Sequence, residues 1–555
     1  MQKKLSEKAA KDPTHQFADL YSLLCNITWL RVAHLHVNTN QGRETAGVDG
    51  ETMARFNGDL EGNLTRLREA LKAKTFEPRP VKRVYIPKAN GKKRPLGILT
   101  IDDRIVQEAL RMILEPIWES DFSKYSYGFR PNRSTYDVIA YLGNRLASYG
   151  ADSYQWVIEG DISSYFDTIP HRRLIKAVKR RVADRDIRDL LWKFLRAGVM
   201  VAGARRETLT GTPQGGIASP LLANIYLHEL DRYMESKYLN LTAYERHKQR
   251  MQGKGNALYL RYADDFVVLW NGTKTAAHAL KEELGGLLDT MGLKLSKEKT
   301  KITHITEGFQ FLGYWIIRAR GLKGKMVPKV RIPDSAIKRF TQKMREILAP
   351  KTTHESMSAK IYALNRFIRG WCQYYRCTSS PANVFSKLGH ALFWVMAHWL
   401  GRKYQVNMPV ILRRHSDGNT FRTTRTKLVR PEVFTAKRLR TKTWHNPYTE
   451  KEKIAREQHF SYDDLWTGNE DRHGWNDLRE EVMLLKGTTC YRCGTVLHPS
   501  EVEIDHVTPR GKFKDKREAD RMKHLQPICT SCHRAKTKTD LKVLSRMPLK
   551  GQVRF

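Results

Sequence analysis

The 555-residue chain lacks any apolar run long enough to cross a membrane. Its best candidate, Ala391 to Leu400, falls short of the roughly 18 residues a span needs and contains His398. The opening segment, MQKKLSEKAAKDP, has no apolar core, so no secretory signal is expected and an intracellular protein is. Acidic residues are scarce: 58 Asp and Glu face 98 Lys and Arg, a formal charge of +40 and a pI near 9.9. The basic excess runs along most of the chain instead of forming a tail. Such a balance suits a long polyanion, nucleic acid foremost, with an anionic membrane surface as the competing partner. Cysteine is also rare, at seven residues. Cys25, Cys372 and Cys377 are scattered and read as small buried or half-buried side chains. The other four form two Cys-x-x-Cys pairs, which in a reduced compartment point to metal and not to disulfides. What is present in quantity is apolar residue, 41% of the chain. That supports real cores, excludes wholesale disorder and, at this length, implies several domains.

The chain is organised around LYLRYADDFVVL, Leu258 to Leu269. Apolar and β-branched residues on both sides of Tyr262-Ala263-Asp264-Asp265 predict two short buried strands joined by a tight turn, with two carboxylates at its tip. Adjacent carboxylates repel and are costly to desolvate, and a divalent cation removes that penalty. Magnesium favours one or two carboxylates per ion together with substrate phosphates. Upstream, VIEGDISSYFDTI (Val157 to Ile169) predicts a buried strand with Asp161 at its end and Phe166 on the turn beyond it. If the strands are neighbours in one sheet, Asp161 joins Asp264 and Asp265. Three carboxylates from two strands are the inventory for two-metal displacement at phosphorus.

Around this centre, residues 1–80 read as mainly helical, broken by VNTNQGRETAGVDG. RVYIPKANGKKRPLGILTIDDRIVQEAL (Arg83 to Leu110) predicts a basic β-hairpin, turning at Ala89-Asn90-Gly91, followed by a helix. A hairpin carrying Lys88, Lys92, Lys93 and Arg94 suits a triphosphate or a template backbone. GTPQGGIASPLLANIYLHELD (Gly211 to Asp231) pairs a Gly-Gly loop, able to approach a ligand closely, with a helix opened by Ser219-Pro220. RFIRGWCQYYRC (Arg366 to Cys377) places Phe367, Trp371, Tyr374 and Tyr375 near one helical face, by default a core stripe, with base stacking as the alternative. Residues 426–480 are polar and rich in Trp, Asn and charge, a linker or a small DNA-binding region.

In order, GDISSYFDTI, TPQGGIASPLLANIYLHELD, YLRYADDFVVL, GLKLSKEKTKI and FQFLGY resemble the motifs of reverse transcriptases. With VNTN…AGVDG and IPKANGKKRPLGILT, the likeness is to the bacterial group II intron-encoded class, over roughly residues 30–315. The resemblance implies an α+β multidomain protein: a right-hand polymerase with fingers and a palm on a split βαβ sheet (1–320), then a helical thumb or maturase segment (321–425). It implies that Asp161 and Asp264 hold two magnesium ions with Asp265 assisting, and that Phe166 is a gate against a ribose 2′-OH. Gln214 would line the nucleotide pocket, Lys88 and Arg94 would grip the triphosphate, and Lys299 would donate a proton to pyrophosphate. The implied partners are intron RNA, target double-stranded DNA and deoxynucleoside triphosphates, with no membrane, in a bacterial cytoplasm or nucleoid. A splicing maturase without catalysis and a reverse transcriptase of a non-mobile defence system are the rival readings; the carboxylate cluster argues against the first.

Near the C-terminus, Cys490, Cys493, Cys529 and Cys532 have knuckle spacing and suit a closed structural zinc site. Between and after them, EVEIDHVTPRG and LQPICTSCHRAKT resemble an HNH nuclease of the ββα-metal fold, within residues 481–555. Carried over, His506 is the general base, and Asp505 with His533 holds one magnesium ion. The family's usual middle Asn is His524 here, which puts cleavage in question. A zinc-knuckle DNA binder is the alternative.

Overall fold

The computed structural model describes residues 1–40, 42–87, 91, 93–147, 153–201, 204–206, 210–212, 215–321, 324–423, 426–450, 482–483, 486–497, 502–508 and 524–536. They mix helices and sheets in two compact units. One draws on residues 1–121, 174–222 and 448–555, the other on 122–173 and 223–447.

The first unit is built on the helix Ile101–Glu119. The Thr100 hydroxyl caps it by accepting the Asp103 N–H at 3.2 Å, and Asp102 and Asp103 occupy the first turn, where the helix dipole favours acids. Almost all of its residues are buried, so its polar groups need internal partners. Glu108 accepts from Arg111 Nε at 2.8 Å and meets His36 Nδ1 at 2.7 Å. Helices Gln2–Lys11 and Ile27–Thr39 pack against it, tied by Gln2 Nε2 donating to the Met112 carbonyl at 3.0 Å and Trp29 Nε1 donating to that of Ala109 at 3.1 Å. The expected hairpin forms from Val81–Pro87 and Lys93–Ile98, antiparallel, with Ile86 opposite Arg94. Near its far end Tyr85 and Ile86 are 53% and 46% exposed, which leaves this stretch standing in solvent. The close approach expected of the Gly-Gly loop is to this hairpin. Gly215 has φ +113°, and a Cβ there would collide with the Gly97 carbonyl.

The second unit holds a four-stranded antiparallel sheet of β1 (Trp156–Asp161), β2 (Ala257–Tyr262), β3 (Asp265–Trp270) and β4 (Lys301–His304). Their spatial order is β2-β3-β1-β4. Buried residues run without alternation along β2 and β3, as in strands covered on both faces. Helix Lys274–Thr290 lies against β1 and buries Ala277, Leu280, Leu284 and Leu288, a helical stripe. Helix α1 (Ser219–Met234) precedes β2 in the chain.

Beyond this sheet come three antiparallel strands, Phe309–Phe311, Tyr314–Arg320 and Met326–Arg331, and then the helices Asp334–Ile347, Met357–Tyr375 and Pro381–Tyr404. Here the residues of the aromatic stripe pack ring against ring, with Tyr375 buried and Phe367, Trp371 and Tyr374 half-buried. Trp371 lies 4.7 Å from Phe340 and 4.6 Å from Tyr375 between ring centres, and Phe340 stacks on Phe367 at 4.8 Å. Tyr374 stacks on Tyr314 at 5.0 Å and donates to the Leu312 carbonyl at 2.6 Å.

The C-terminal module pairs β5 (Glu503–His506) with β6 (Leu525–Ile528), antiparallel, with Asp505 opposite Gln526. Among the described residues its apolar centre comprises Met483, Cys490, Leu497, Val502 and Ile528, joined by Leu35 from the N-terminal helices of the same unit.

Candidate active sites

Register sets Asp161 beside Asp265. Asp161 ends β1 directly opposite Asp265, the first residue of β3, and Tyr262 closes the turn from the other side. Between them Ala263 is left-handed, φ +59°, a conformation that costs an alanine about 1–2 kcal/mol and that its surroundings must enforce. Partial desolvation, then the charges of Asp264 and Asp161, raise the Asp265 carboxyl above its ordinary range. Lys299 Nζ lies 2.9 Å from both Asp161 oxygens. Its loop is anchored there by Ser296 N–H donating to the Asp161 carbonyl at 2.8 Å. The hydrogen bond to Asp161, with the pull of Asp265 and Asp264, raises the Lys299 pKa. Three carboxylates facing one ammonium leave surplus negative charge at a solvent-facing sheet edge, and such a donor set fits divalent cations with oxygen ligands.

Phe166 sits on the short helix Tyr165–Thr168, 9% exposed. Its ring meets that of Phe129 edge-on at 6.1 Å between centres, and Phe129 is half exposed. The neighbouring Tyr165 is fully buried and donates to the Ala223 carbonyl at 2.6 Å, which pins this short helix to α1. Phe129 escaped notice in the sequence because it sits in a turn-rich basic loop, SYGFRPNRS, with no periodicity to mark it. Arg94 is exposed on the hairpin of the other unit. Lys88 and Gln214 lie outside the described residues.

In the C-terminal module the ligand atoms of Cys490, Cys493, Cys529 and Cys532 all lie within 4.8 Å of one another. Cys493 Sγ and Cys529 Sγ are 3.9 Å apart, close to the edge of about 3.8 Å that a tetrahedron with 2.3 Å zinc–sulfur bonds requires. Hydrogen bonds with Thr495 and Ser531 lower the pKa of Cys493 and Cys529 respectively, while the hydrogen bond with Cys529 raises that of Cys532, so protons are shared among the four sulfurs. Among the described residues no other His, Cys, Asp or Glu group converges this tightly; the three aspartates do not.

Two of the nuclease candidates, Asp505 and His533, also meet. His533 Nε2 lies 3.7 Å from Asp505 Oδ1, a separation from which two ligands can reach one ion with a small turn of the imidazole. The buried Asp505 accepts from Tyr491 at 2.7 Å and from Lys536 at 3.3 Å, and Lys536 also donates to the His506 carbonyl at 2.9 Å. Glu503 was not singled out from the sequence. It takes His533 Nδ1 at 2.5 Å and the Thr530 hydroxyl at 3.0 Å, so it orients the imidazole from behind. The signal was there: Glu503 and Asp505 are two residues apart on one strand and share a face. The His524 carbonyl accepts the Val507 N–H at 2.9 Å, so a backbone bond ties down the residue after His506 whatever side chain stands at 524.

Residues 86–316 match the reverse transcriptase (RNA-dependent DNA polymerase) family, 337–416 the group II intron maturase-specific domain, and 490–539 the HNH endonuclease family. Protein YkfC of Escherichia coli K12 is 42% identical over 364 residues, covering 63% of this chain and 96% of that protein. The chain belongs to the group II intron-encoded reverse transcriptase and maturase family. The group II intron-encoded protein LtrA of Lactococcus lactis is 27% identical over 96% of this chain and 97% of its own. A putative COX1/OXI3 intron 2 protein of Saccharomyces cerevisiae is 28% identical over 70% of this chain and 52% of its own. This intron-encoded protein is therefore an RNA-directed DNA polymerase and maturase with an HNH endonuclease domain. No helix among the described residues is long and apolar enough to cross a membrane.

Proposed function

We propose that the protein copies RNA into DNA at the β1–β3 sheet edge, assists splicing of its intron RNA, and nicks one strand of target DNA so that the new 3′-OH primes synthesis. In this reading residues 1–320 are fingers and palm, 321–425 the thumb and maturase segment, 426–480 a linker or DNA-binding region, and 481–555 the nuclease. The strand order β2-β3-β1-β4, with a helix before β2 and another before β4, supports the palm assignment.

The observation that carries the proposal is the register of Asp161 with Asp265 beside Asp264. Two magnesium ions bound there would neutralise charge on the attacking and leaving oxygens of an in-line displacement. Asp161, Asp264 and Asp265 hold the ions, and the edge-on Phe129–Phe166 pair restricts space for the incoming sugar. Lys299, 2.9 Å from both Asp161 oxygens, stands at this edge as the proton donor to departing pyrophosphate. Arg94, with Lys88 and Gln214, contacts the deoxynucleoside triphosphate. In the nuclease, His506 takes a proton from water, while Asp505 and His533 hold one magnesium ion and Glu503 fixes the His533 ring.

Asp264→Asn tests the polymerase assignment. It should abolish extension of a DNA primer on an RNA template while intron RNA binding, spread over many phosphate contacts, stays near wild type. Extension by the variant above a trace of the wild-type rate would remove Asp264 from the metal site.

A further inference from the structure

Beneath the YADD turn lies an ion pair in complete burial. Arg261, on β2, and Asp231, on α1, both have side chains 0% exposed. Arg261 Nε donates to Asp231 Oδ1 at 2.8 Å and Nη2 to Oδ2 at 2.5 Å, a bidentate fork. Its Nη1 donates to Asn224 Oδ1 at 2.8 Å and to the Ala263 carbonyl at 3.0 Å. Tyr259 completes Asp231 by donating to Oδ1 at 2.9 Å. Asn224 in turn donates from Nδ2 to the Gly128 carbonyl at 2.8 Å. Gly128 passes so close to the turn that a Cβ there would collide with the Ala263 backbone nitrogen. The segment before it is bonded to β2 at the same point, Arg261 N–H to the Tyr125 carbonyl and Tyr127 N–H to the Arg261 carbonyl, both at 2.9 Å.

A buried ion pair is a poor device for stability, because desolvating both charges offsets their attraction, and an apolar pair of equal volume often serves as well. What an apolar pair cannot do is hold a carbonyl. The Ala263 carbonyl belongs to the left-handed residue of the turn, and its peptide plane sets the direction in which Asp264 leaves the backbone. We infer that Arg261, with Asp231 and Asn224, is a positioning device for the polymerase metal site. It clamps the Ala263–Asp264 peptide from below and locks the Gly128 turn against it. None of the three touches substrate or metal; they act through Asp264. The inference rests on the assignment of Asp264 to that site.

The decisive variant is the full-length double substitution Asp231→Leu with Arg261→Met, which removes both charges together and leaves none buried alone. Arg261→Lys, which keeps the charge but not the planar fork, and Asn224→Ala accompany it. Three readouts are compared with wild type: primer extension against magnesium concentration, hydrogen exchange of the amides between Tyr262 and Phe266, and strand nicking. The double variant should extend primers roughly 100-fold more slowly, the effect of about 1 Å of misplacement. The loss should fall on kcat, with a several-fold higher half-saturating magnesium concentration and little change in nucleotide KM. Exchange at the turn should accelerate about tenfold or more, and nicking should be unchanged. Arg261→Lys and Asn224→Ala should show smaller shifts of the same kind, and they decide the matter by the same readouts if the double variant does not fold. A folded variant with wild-type turn exchange and wild-type magnesium dependence overturns the inference. An Asp264→Asn control that still extends primers would instead overturn the metal assignment on which it rests.

Discussion

The two candidate metal sites of this protein are organised by opposite means. At the β1–β3 edge, Asp161 and Asp265 are aligned by strand register, and the turn bearing Asp264 and Asp265 is gripped by a buried guanidinium, so the protein itself makes the site's shape. In the C-terminal module four sulfurs from two separate Cys-x-x-Cys pairs converge beside the described apolar centre. The lesson is about what each ion does. Zinc among four thiolates has no open position and serves as structure, whereas ions on exposed carboxylates keep positions for phosphate and can serve chemistry.

The contrast predicts its largest effect at Cys529. Cys529→Ser should remove cooperative unfolding of the module and abolish nicking, because structural zinc contributes on the order of 10 kcal/mol to such small folds. Primer extension by the same protein should persist. A module that still unfolds cooperatively by calorimetry would break the comparison.

The next effect is acid sensitivity, and it sharpens the difference because the unit holding the β1–β3 edge should respond through a histidine without zinc. Burial against Phe122, with the charges of Arg261, Arg232 and Arg130 opposed by Asp231, lowers the His228 pKa to about 4. The native state thus prefers His228 neutral. Its contribution is complete above the unfolded value of 6.5 and is lost as pH falls from 6.5 toward 4. The full span is worth on the order of 3 kcal/mol. His228→Phe should flatten the stability of this unit between pH 6.5 and 4 in denaturant titrations. Added zinc should not replace that effect. An unchanged pH slope would mean that His228 does not titrate in this range.

Phe166 comes third. Phe166→Ala opens the space shared with Phe129 and should raise ribonucleotide incorporation by roughly 10–100-fold, a discrimination of about 1–3 kcal/mol, while polymerisation continues. An unchanged selectivity ratio in competition assays would make the ring ordinary packing. The smallest change should follow His524→Asn. The bond to Val507 uses the backbone carbonyl at 524, so nicking should stay equal to wild type or rise only a few-fold. A wild type that cannot nick when bound to its RNA, beside an Asn variant that can, would make this module a DNA-binding relic.

These two regions also differ in how far the sequence revealed them. Cys490, Cys493, Cys529 and Cys532 and the Asp-Asp turn were legible because chemistry-bearing residues stand in short runs with ligand spacing. The hairpin at Val81–Ile98 and the strands flanking the YADD turn were legible from β-rich runs and turn residues. The support under the YADD turn was not. Arg261 looks like any polar residue beside a tyrosine, and Asp231 looks like the solvated end of an amphipathic helix. Their pairing depends on how α1 lies against β2, and local spacing carries no record of that. Glu503 was recoverable by strand alternation. Lys536 was not, since it reaches Asp505 from across the module at a separation of 31 residues.

The most direct test of this contrast is hydrogen exchange on the full-length protein before and after zinc chelation in magnesium-free buffer. The account predicts that Cys490 to Leu497 and Leu525 to His533 lose protection while Leu258 to Leu269, held by register and Arg261, keep theirs. Loss of protection at the YADD turn together with the module, or its retention in both, would contradict it.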